Sequence, residues 1–332
     1  MTQSIVIIGN GGWGTAIAIA LAGKDLAVTI WGHDATHLAE CERERENRRF
    51  LPDVKIPKDV RFEHDPIKPV KDATLIVSAI PTRYLRSTIK RFKGAFDPNT
   101  PIVSVTKGIE NDTLELPSAI IAYETDARTV AVLSGPTMAE EVARGLPSSA
   151  TIACENIDVA RAIQETMSTD SFRIYASDDR VGVELGGAAK NVIAIAAGLC
   201  DGMKLGDNAK AALLARGLAE LRRLGAAKGA RDETFAGLSG VGDLYTSCAS
   251  PYGRNRGFGE RVGKGMTPAK AIEASGGMIV EGVDTAKSIH QLAQRQGVEM
   301  PICEAVYRIV YENLLPAEAL RRLLERGLRT EW

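Results

Sequence analysis

The chain has only five cysteines in 332 residues (Cys41, Cys154, Cys200, Cys248, Cys303), an odd number with no CxxC pair. That spacing argues against a disulfide framework and against a structural zinc site, so no metal is expected and a reducing compartment is the simplest setting. Charge of one sign is missing too, since 41 Lys and Arg against 42 Asp and Glu leave a net −1. No global basic field therefore recruits nucleic acid or anionic lipid, although a local basic pocket for a small anion stays open. Histidine is scarce: His33, His37, His64 and His290 are the four, and none is well placed by pattern for acid–base work. No apolar run reaches membrane-spanning length; the longest, Val192–Cys200, is interrupted by Gly198 and reads as a buried helix. Met1-Thr2-Gln3-Ser4 runs into the first apolar segment without a basic stretch, so the expected location is cytoplasmic.

What is present is a globular composition, 45% hydrophobic and 25% charged, in a length that suits two domains. The first half alternates helical stretches with short runs rich in Val, Ile and Leu. Strands are predicted at Ile5–Gly9, Ala27–Trp31, Thr74–Ala79, Ile102–Thr106 and Val130–Ser134, with Ala150–Ala153 and Phe172–Tyr175 as extensions. The lack of polar alternation fits parallel strands covered on both faces, so the spacing predicts a Rossmann-type doubly wound sheet. After about Asp178 the chain becomes rich in Ala, Leu, Glu and Arg. Amphipathic patterns at Ala209–Leu224 and Ala317–Leu328, and one long helix over Val183–Leu199, predict an all-α second domain. The expected division is 1–182 for the dinucleotide-binding domain and 183–332 for a helical substrate domain, with the ligand cleft between them. The charge runs Glu40–Arg49 (ECERERENRR) and Arg321–Arg329 read as solvated helix.

Gly9-Asn10-Gly11-Gly12-Trp13-Gly14 is a GxGxxG that follows the first predicted strand and opens a helix, Trp13–Ala22. Gly9 allows the tight turn, Gly11 lets backbone approach a pyrophosphate, and Gly14 permits close packing of helix on strand. The helix N-terminus offers N–H donors to the phosphates, so NAD or NADP is the expected cofactor. At the end of the second strand, Asp34 can bind a ribose 2′-hydroxyl and His33 can help hold a 2′-phosphate; a surface turn is the alternative for both.

Further segments carry a resemblance. They are Gly9–Ala16 (GNGGWGTA), Thr106–Glu110 (TKGIE), Ser134–Val142 (SGPTMAEEV), Glu184–Asn208, Phe235–Leu244 (FAGLSGVGDL), Arg254–Arg256 (RNR) and Ile279–Gly282 (IVEG). In this order and spacing the chain resembles bacterial NAD(P)-dependent glycerol-3-phosphate dehydrogenases along nearly its whole length. The resemblance implies reversible conversion of sn-glycerol 3-phosphate to dihydroxyacetone phosphate for glycerophospholipid synthesis, with a homodimer as its assembly. Departures stand out: Gly12 where the family often has Ser, Thr137 for Ser, His33 for Arg, Gly253 for Ser and Ser247 for Thr.

Oxidising a secondary alcohol needs a hydride acceptor, a base and a grip on the rest of the substrate. With no histidine in place, Lys190 comes forward, between Gly186-Gly187-Ala188-Ala189 and an apolar run. Small residues let its helix approach a ligand, and apolar surroundings disfavour the ammonium. A snorkelling lysine is the alternative, and the resemblance makes Lys190 the proton carrier. Asp243 would pair with it or serve as a helix N-cap. Lys107, directly after a strand, would stabilise charge on the substrate oxygen. Arg254 and Asn255 are the candidate phosphate ligands, against a solvated basic turn as the other reading of RNR. The resemblance also implies substrate contacts at Gly135, Thr137, Asn191 and Gly253. Its implied cofactor contacts are Gly12, Trp13, Lys107, Ala139, Arg254, Ile279 and Glu281.

Overall fold

The computed structural model describes residues 3–327 and 330. Met1, Thr2, Leu328 at the end of the expected last helix, and Arg329 of the final basic run lie outside the described residues. Strands β1 (Gln3–Ile8), β2 (Leu26–Trp31), β3 (Glu46–Asn47), β4 (Leu51–Lys55), β5 (Arg61–Glu63), β6 (Leu75–Ser78), β7 (Ile102–Ser104), β8 (Val130–Ser134), β9 (Ser148–Ala153) and β10 (Phe172–Ser177) come first in the chain. Eight of them form one sheet in the order β10-β9-β8-β7-β6-β1-β2-β5, while β3 and β4 pair apart as a small antiparallel hairpin. In β1, Ile5 and Ile7 face a core shared with Ile17 and Leu21 of helix Gly12–Ala22. Val6 and Ile8 face the opposite core with Leu85, Ile89 and Phe92. Burial on both faces is why these strands show no polar alternation.

The sheet departs from an all-parallel plan at one place. Strand β9 runs antiparallel to β8, and β10 then runs parallel to β9. After β8 the chain stays at the carboxyl end of the sheet, where helix Ala139–Ala143 lies beside the glycine loop; a Cβ on Gly12 would stand 3.9 Å from that of Ala139. Having never crossed back, β9 has to return in the opposite direction.

The second half is helical, and its axis is the helix Arg180–Gly202. Asp179 caps it by accepting from Gly182 N at 2.9 Å. This helix has the length and mean hydropathy (1.4) of a membrane span, yet 94% of the apolar window is buried inside the fold. Helices Asp207–Ala227, Asp243–Ala249, Arg254–Gly263, Glu281–Gln296 and Pro301–Tyr311 pack around it. The glycines that look like breaks in the sequence are contact points. A Cβ on Gly198 would lie 2.0 Å from Arg256 O, and one on Gly259 2.0 Å from Ile195 O, so the two backbones touch.

The run Glu40–Arg49 is a solvated helix only as far as Glu44. Helix Ala35–Glu44 stops where Arg45 turns left-handed (φ 51°), and the chain continues into the β3–β4 hairpin with Asn47 fully buried.

Candidate active site

The glycine loop joins β1 to helix Gly12–Ala22 at the point where strand order reverses, between β1 and β6. Gly9 adopts φ +121°, and a Cβ there would meet Ala79 O at 2.5 Å; one on Gly14 would meet Gly9 O at 2.0 Å. A Cβ on Gly11 would meet nothing within 4 Å, so the space beside it is open to a ligand. No side chain caps the helix that begins there. The loop thus fits a pyrophosphate on both counts, open space and oriented N–H groups. Trp13 packs its ring edge-on to Phe172 at 6.2 Å.

At the end of β2, Asp34 caps helix Ala35–Glu44 with one carboxylate oxygen, accepting from His37 N at 3.1 Å. The other oxygen lies 3.8 Å from Arg49 Nη1, and His33 beside it is exposed. Arg49, whose guanidinium stacks over Phe50 at 4.9 Å, went unnoticed in the sequence as part of this corner. Its proximity to Asp34 depends on the hairpin, and nothing local in the sequence announces that hairpin.

The remaining candidates converge where the sheet meets the helices. Asp243, 2% exposed, sits between two ammonium groups, with Lys190 Nζ donating to Oδ1 at 2.7 Å and Lys107 Nζ to Oδ2 at 2.6 Å. Lys107 also donates to Gly135 O (2.9 Å) and Thr137 Oγ1 (3.3 Å), which commits all three of its N–H groups. Lys190 has a second acceptor in Ser247 Oγ, and its third N–H has no acceptor among the described residues. Sequence reasoning noted Ser247 only as a departure from the family pattern and did not tie it to Lys190; four residues after Asp243, it shares that helix's face. Asp243 is the first residue of its helix, and the cap position falls to Gly242.

A relay of amides ties this cluster to the Arg254–Arg256 segment. Asn191 donates to Lys107 O (3.0 Å), Asn255 donates to Asn191 Oδ1 (2.9 Å), and Gly282 N donates to Asn255 Oδ1 (2.9 Å). Arg254, exposed at the start of its helix, donates among the described residues to Ile279 O alone, at 3.3 Å, so most of its guanidinium remains available. Burial pushes the Lys107 ammonium down to about 8, with Lys190 adding to the fall and Asp243 opposing it. Burial also raises the Glu281 carboxyl, against the pull of Arg254, Lys190 and Lys107. Glycines make this proximity possible: a Cβ on Gly187 would collide with Ser134 Oγ, and one on Gly186 would stand 2.6 Å from Ser239 O.

Residues 4–160 match the family model for the N-terminus of NAD-dependent glycerol-3-phosphate dehydrogenase, and residues 179–321 match its C-terminus. A relative from Salinibacter ruber, named as an NAD(P)+ glycerol-3-phosphate dehydrogenase, is 42% identical over 100% of this chain and 97% of its own length. The chain belongs to the NAD-dependent glycerol-3-phosphate dehydrogenase family. A second relative with that name, from Anaeromyxobacter dehalogenans, is 44% identical over 98% of both chains. The crystal structure of glycerol-3-phosphate dehydrogenase from Coxiella burnetii superposes with a TM-score of 0.93 at 38% identity, covering 98% of this chain and 99% of that one. Against the glycerol-3-phosphate dehydrogenase pattern, two departures now have a spatial reason. A Cβ on Gly12 would meet Phe50 O at 2.6 Å, and one on Gly253 would meet Ser247 O at 2.9 Å.

Proposed function

We propose that the chain interconverts dihydroxyacetone phosphate and sn-glycerol 3-phosphate with NAD or NADP, supplying glycerophospholipid synthesis. The observation that carries this reading is the Lys190–Asp243–Lys107 cluster, set beside Arg254 and Asn255 at the junction of sheet and helices. Gly9, Gly11, Gly12, Trp13 and Gly14 would hold the dinucleotide pyrophosphate. Asp34 and His33 would meet the adenosine end, and Ala139, Ile279 and Glu281 the remainder. When bound, the dinucleotide supplies or accepts the hydride at its nicotinamide ring.

The donor inventory separates the two lysines. Lys190 keeps one N–H free while Asp243 and Ser247 fix its head, so it is suited to pass a proton to the C2 oxygen of the ketone and to take it back from the alcohol. Lys107 spends its donors holding the Gly135–Thr137 turn and Asp243 together, and its longest bond, to Thr137, is the one a substrate oxygen would replace. Arg254 and Asn255 offer a forked cation and an amide to the phosphate. In this reading residues 1–182 bind the cofactor and residues 183–332 hold the substrate. The protein acts as a cytoplasmic homodimer, which sedimentation equilibrium would check.

Initial rates of dihydroxyacetone phosphate reduction, measured with NADH and NADPH side by side, test the proposal. A non-phosphorylated ketone should be a poor substrate. No dinucleotide oxidation with the phosphorylated ketone, or equal rates with both ketones, would overturn it and favour a hydroxyacid-type dehydrogenase or a non-catalytic dinucleotide sensor.

A further inference from the structure

Asn47 has no exposed surface, although it stands in a ten-residue run in which Cys41 alone is neither polar nor charged. Its amide is fully engaged. Nδ2 donates to Asn10 O and to Thr15 Oγ1, both at 2.8 Å, while Oδ1 accepts from Phe50 N at 3.2 Å and faces His37 Nε2 at 3.1 Å. The backbone partners fix the orientation of that amide, because a carbonyl only accepts and an N–H only donates. Oδ1 then requires the His37 proton on Nε2, which leaves Nδ1 to accept from Asn10 Nδ2 at 3.1 Å. Asn10 is the residue between the first two glycines of the loop, and both its carbonyl and its side chain are held from this network. His37 N in turn donates to Asp34, so the same bonds reach the adenosine corner. The Phe50 carbonyl, 2.6 Å from where a Gly12 Cβ would sit, presses on the loop from the same hairpin.

We propose that Asn47 is a positioning residue for the dinucleotide. It touches no ligand atom itself, and acts through Asn10 and Thr15 to fix where the loop presents its N–H groups. One buried hydrogen bond to the loop at Asn10, another to the helix it opens at Thr15, and none to the lysine cluster imply a loss confined to cofactor binding. The inference rests on the reading that a dinucleotide binds at Gly9–Gly14.

The test uses the full chain, with NADH and NADPH titrated by fluorescence and steady-state kinetics run on dihydroxyacetone phosphate. Asn47→Ala should raise the dinucleotide Kd by about tenfold, the equivalent of one or two buried hydrogen bonds. At saturating dinucleotide, its kcat should stay within about twofold of the parent. Asn47→Asp, which keeps the acceptors and loses both donors, should fail to restore binding. Thr15→Val removes one acceptor at constant size, and should raise Kd by about threefold even if the Asn47 variants do not fold. An unchanged Kd in Thr15→Val or in a folded Asn47→Ala protein, or a fall in kcat with Kd unmoved, would overturn the proposal. If the parent chain binds neither dinucleotide, the reading of the glycine loop fails and this inference with it. Binding by the parent with indifferent variants removes the inference alone.

Discussion

Replacing Asp243 by Asn tests the electrostatic logic of the site. The carboxylate is 2% exposed and bonds two ammonium groups at 2.7 and 2.6 Å. An amide can accept from one of them, but then turns its NH2 toward the other. Breaking a buried ion pair by removing one partner costs about 3–5 kcal/mol if the remaining charge must stay. Here it need not stay, because burial already holds the Lys107 ammonium down to about 8 with Asp243 in place. At pH 7, shedding its proton therefore costs on the order of 1 kcal/mol, about one pKa unit, and losing the carboxylate lowers that cost. With about 1–2 kcal/mol for the poorer hydrogen bonds, the loss at pH 7 should be roughly 2–3 kcal/mol. That corresponds to a Tm lower by about 4–6 °C. The sign with pH follows from the depressed pKa. The folded variant holds fewer protons than the unfolded chain from below pH 8 up to the ordinary lysine value, so its stability rises with pH across that window. The Tm gap between parent and Asp243→Asn, followed by scanning fluorimetry, should widen at pH 6 and narrow toward pH 8.5. A gap that is absent, or constant with pH, would falsify the account of two lysines sharing one counter-charge.

Lys190→Ala should lower kcat by about 10²–10⁴-fold while dinucleotide titration shows unchanged affinity; near-parental turnover would remove the proton-transfer role. Arg254→Ala should raise the KM for dihydroxyacetone phosphate by about 10–100-fold through loss of charge-assisted bonds, with a weaker effect on any non-phosphorylated ketone. An unchanged KM would contradict the phosphate grip. Gly14→Ala would place a methyl 2.0 Å from Gly9 O. The overlap should destabilise the fold by about 1–3 kcal/mol and displace the loop, and dinucleotide affinity measured by calorimetry should drop.

The parts of this fold that could be read in the sequence are those whose signal is local. Ile5–Ile8 is apolar on both faces because both faces are covered, and the Gly9–Gly14 spacing reports a turn that only glycine can make at φ +121°. Helix Arg180–Gly202 was legible for the same reason, since its apolar residues fill every side. What escaped depends on contacts between distant segments. Glu40–Arg49 is polar or charged at every position but Cys41, so periodicity could not show that Asn47 turns inward; its partners Asn10 and Thr15 lie 37 and 32 residues away. The reversal at β9 likewise depends on where the chain stops after β8, which composition does not encode. The tie of Ser247 to Lys190 could have been found by asking which residue lies one helical turn beyond Asp243.

The same distinction bears on how the site does its work. Lys107 comes from the loop three residues past β7, whereas Lys190 and Asp243 come from separate helices, and the three meet through bonds between 2.6 and 2.7 Å. Asn191 and Asn255 continue the connection by amide bonds from Lys107 O to Gly282 N. Every bond in that relay has a backbone group or a fixed helix at one end, so the relay resists small displacements of single side chains. A cluster held in this way gains rate by having its dipoles already oriented, and needs little reorganisation when charge develops on a substrate oxygen. On the proposed reading, substitution of Asn191 should act on turnover and that of Asn255 also on the KM for the phosphorylated substrate, whereas those in the Asn47 network act on cofactor affinity. The two polar networks would then govern separate kinetic constants, because one is anchored at the Lys107 carbonyl and the other at the glycine loop.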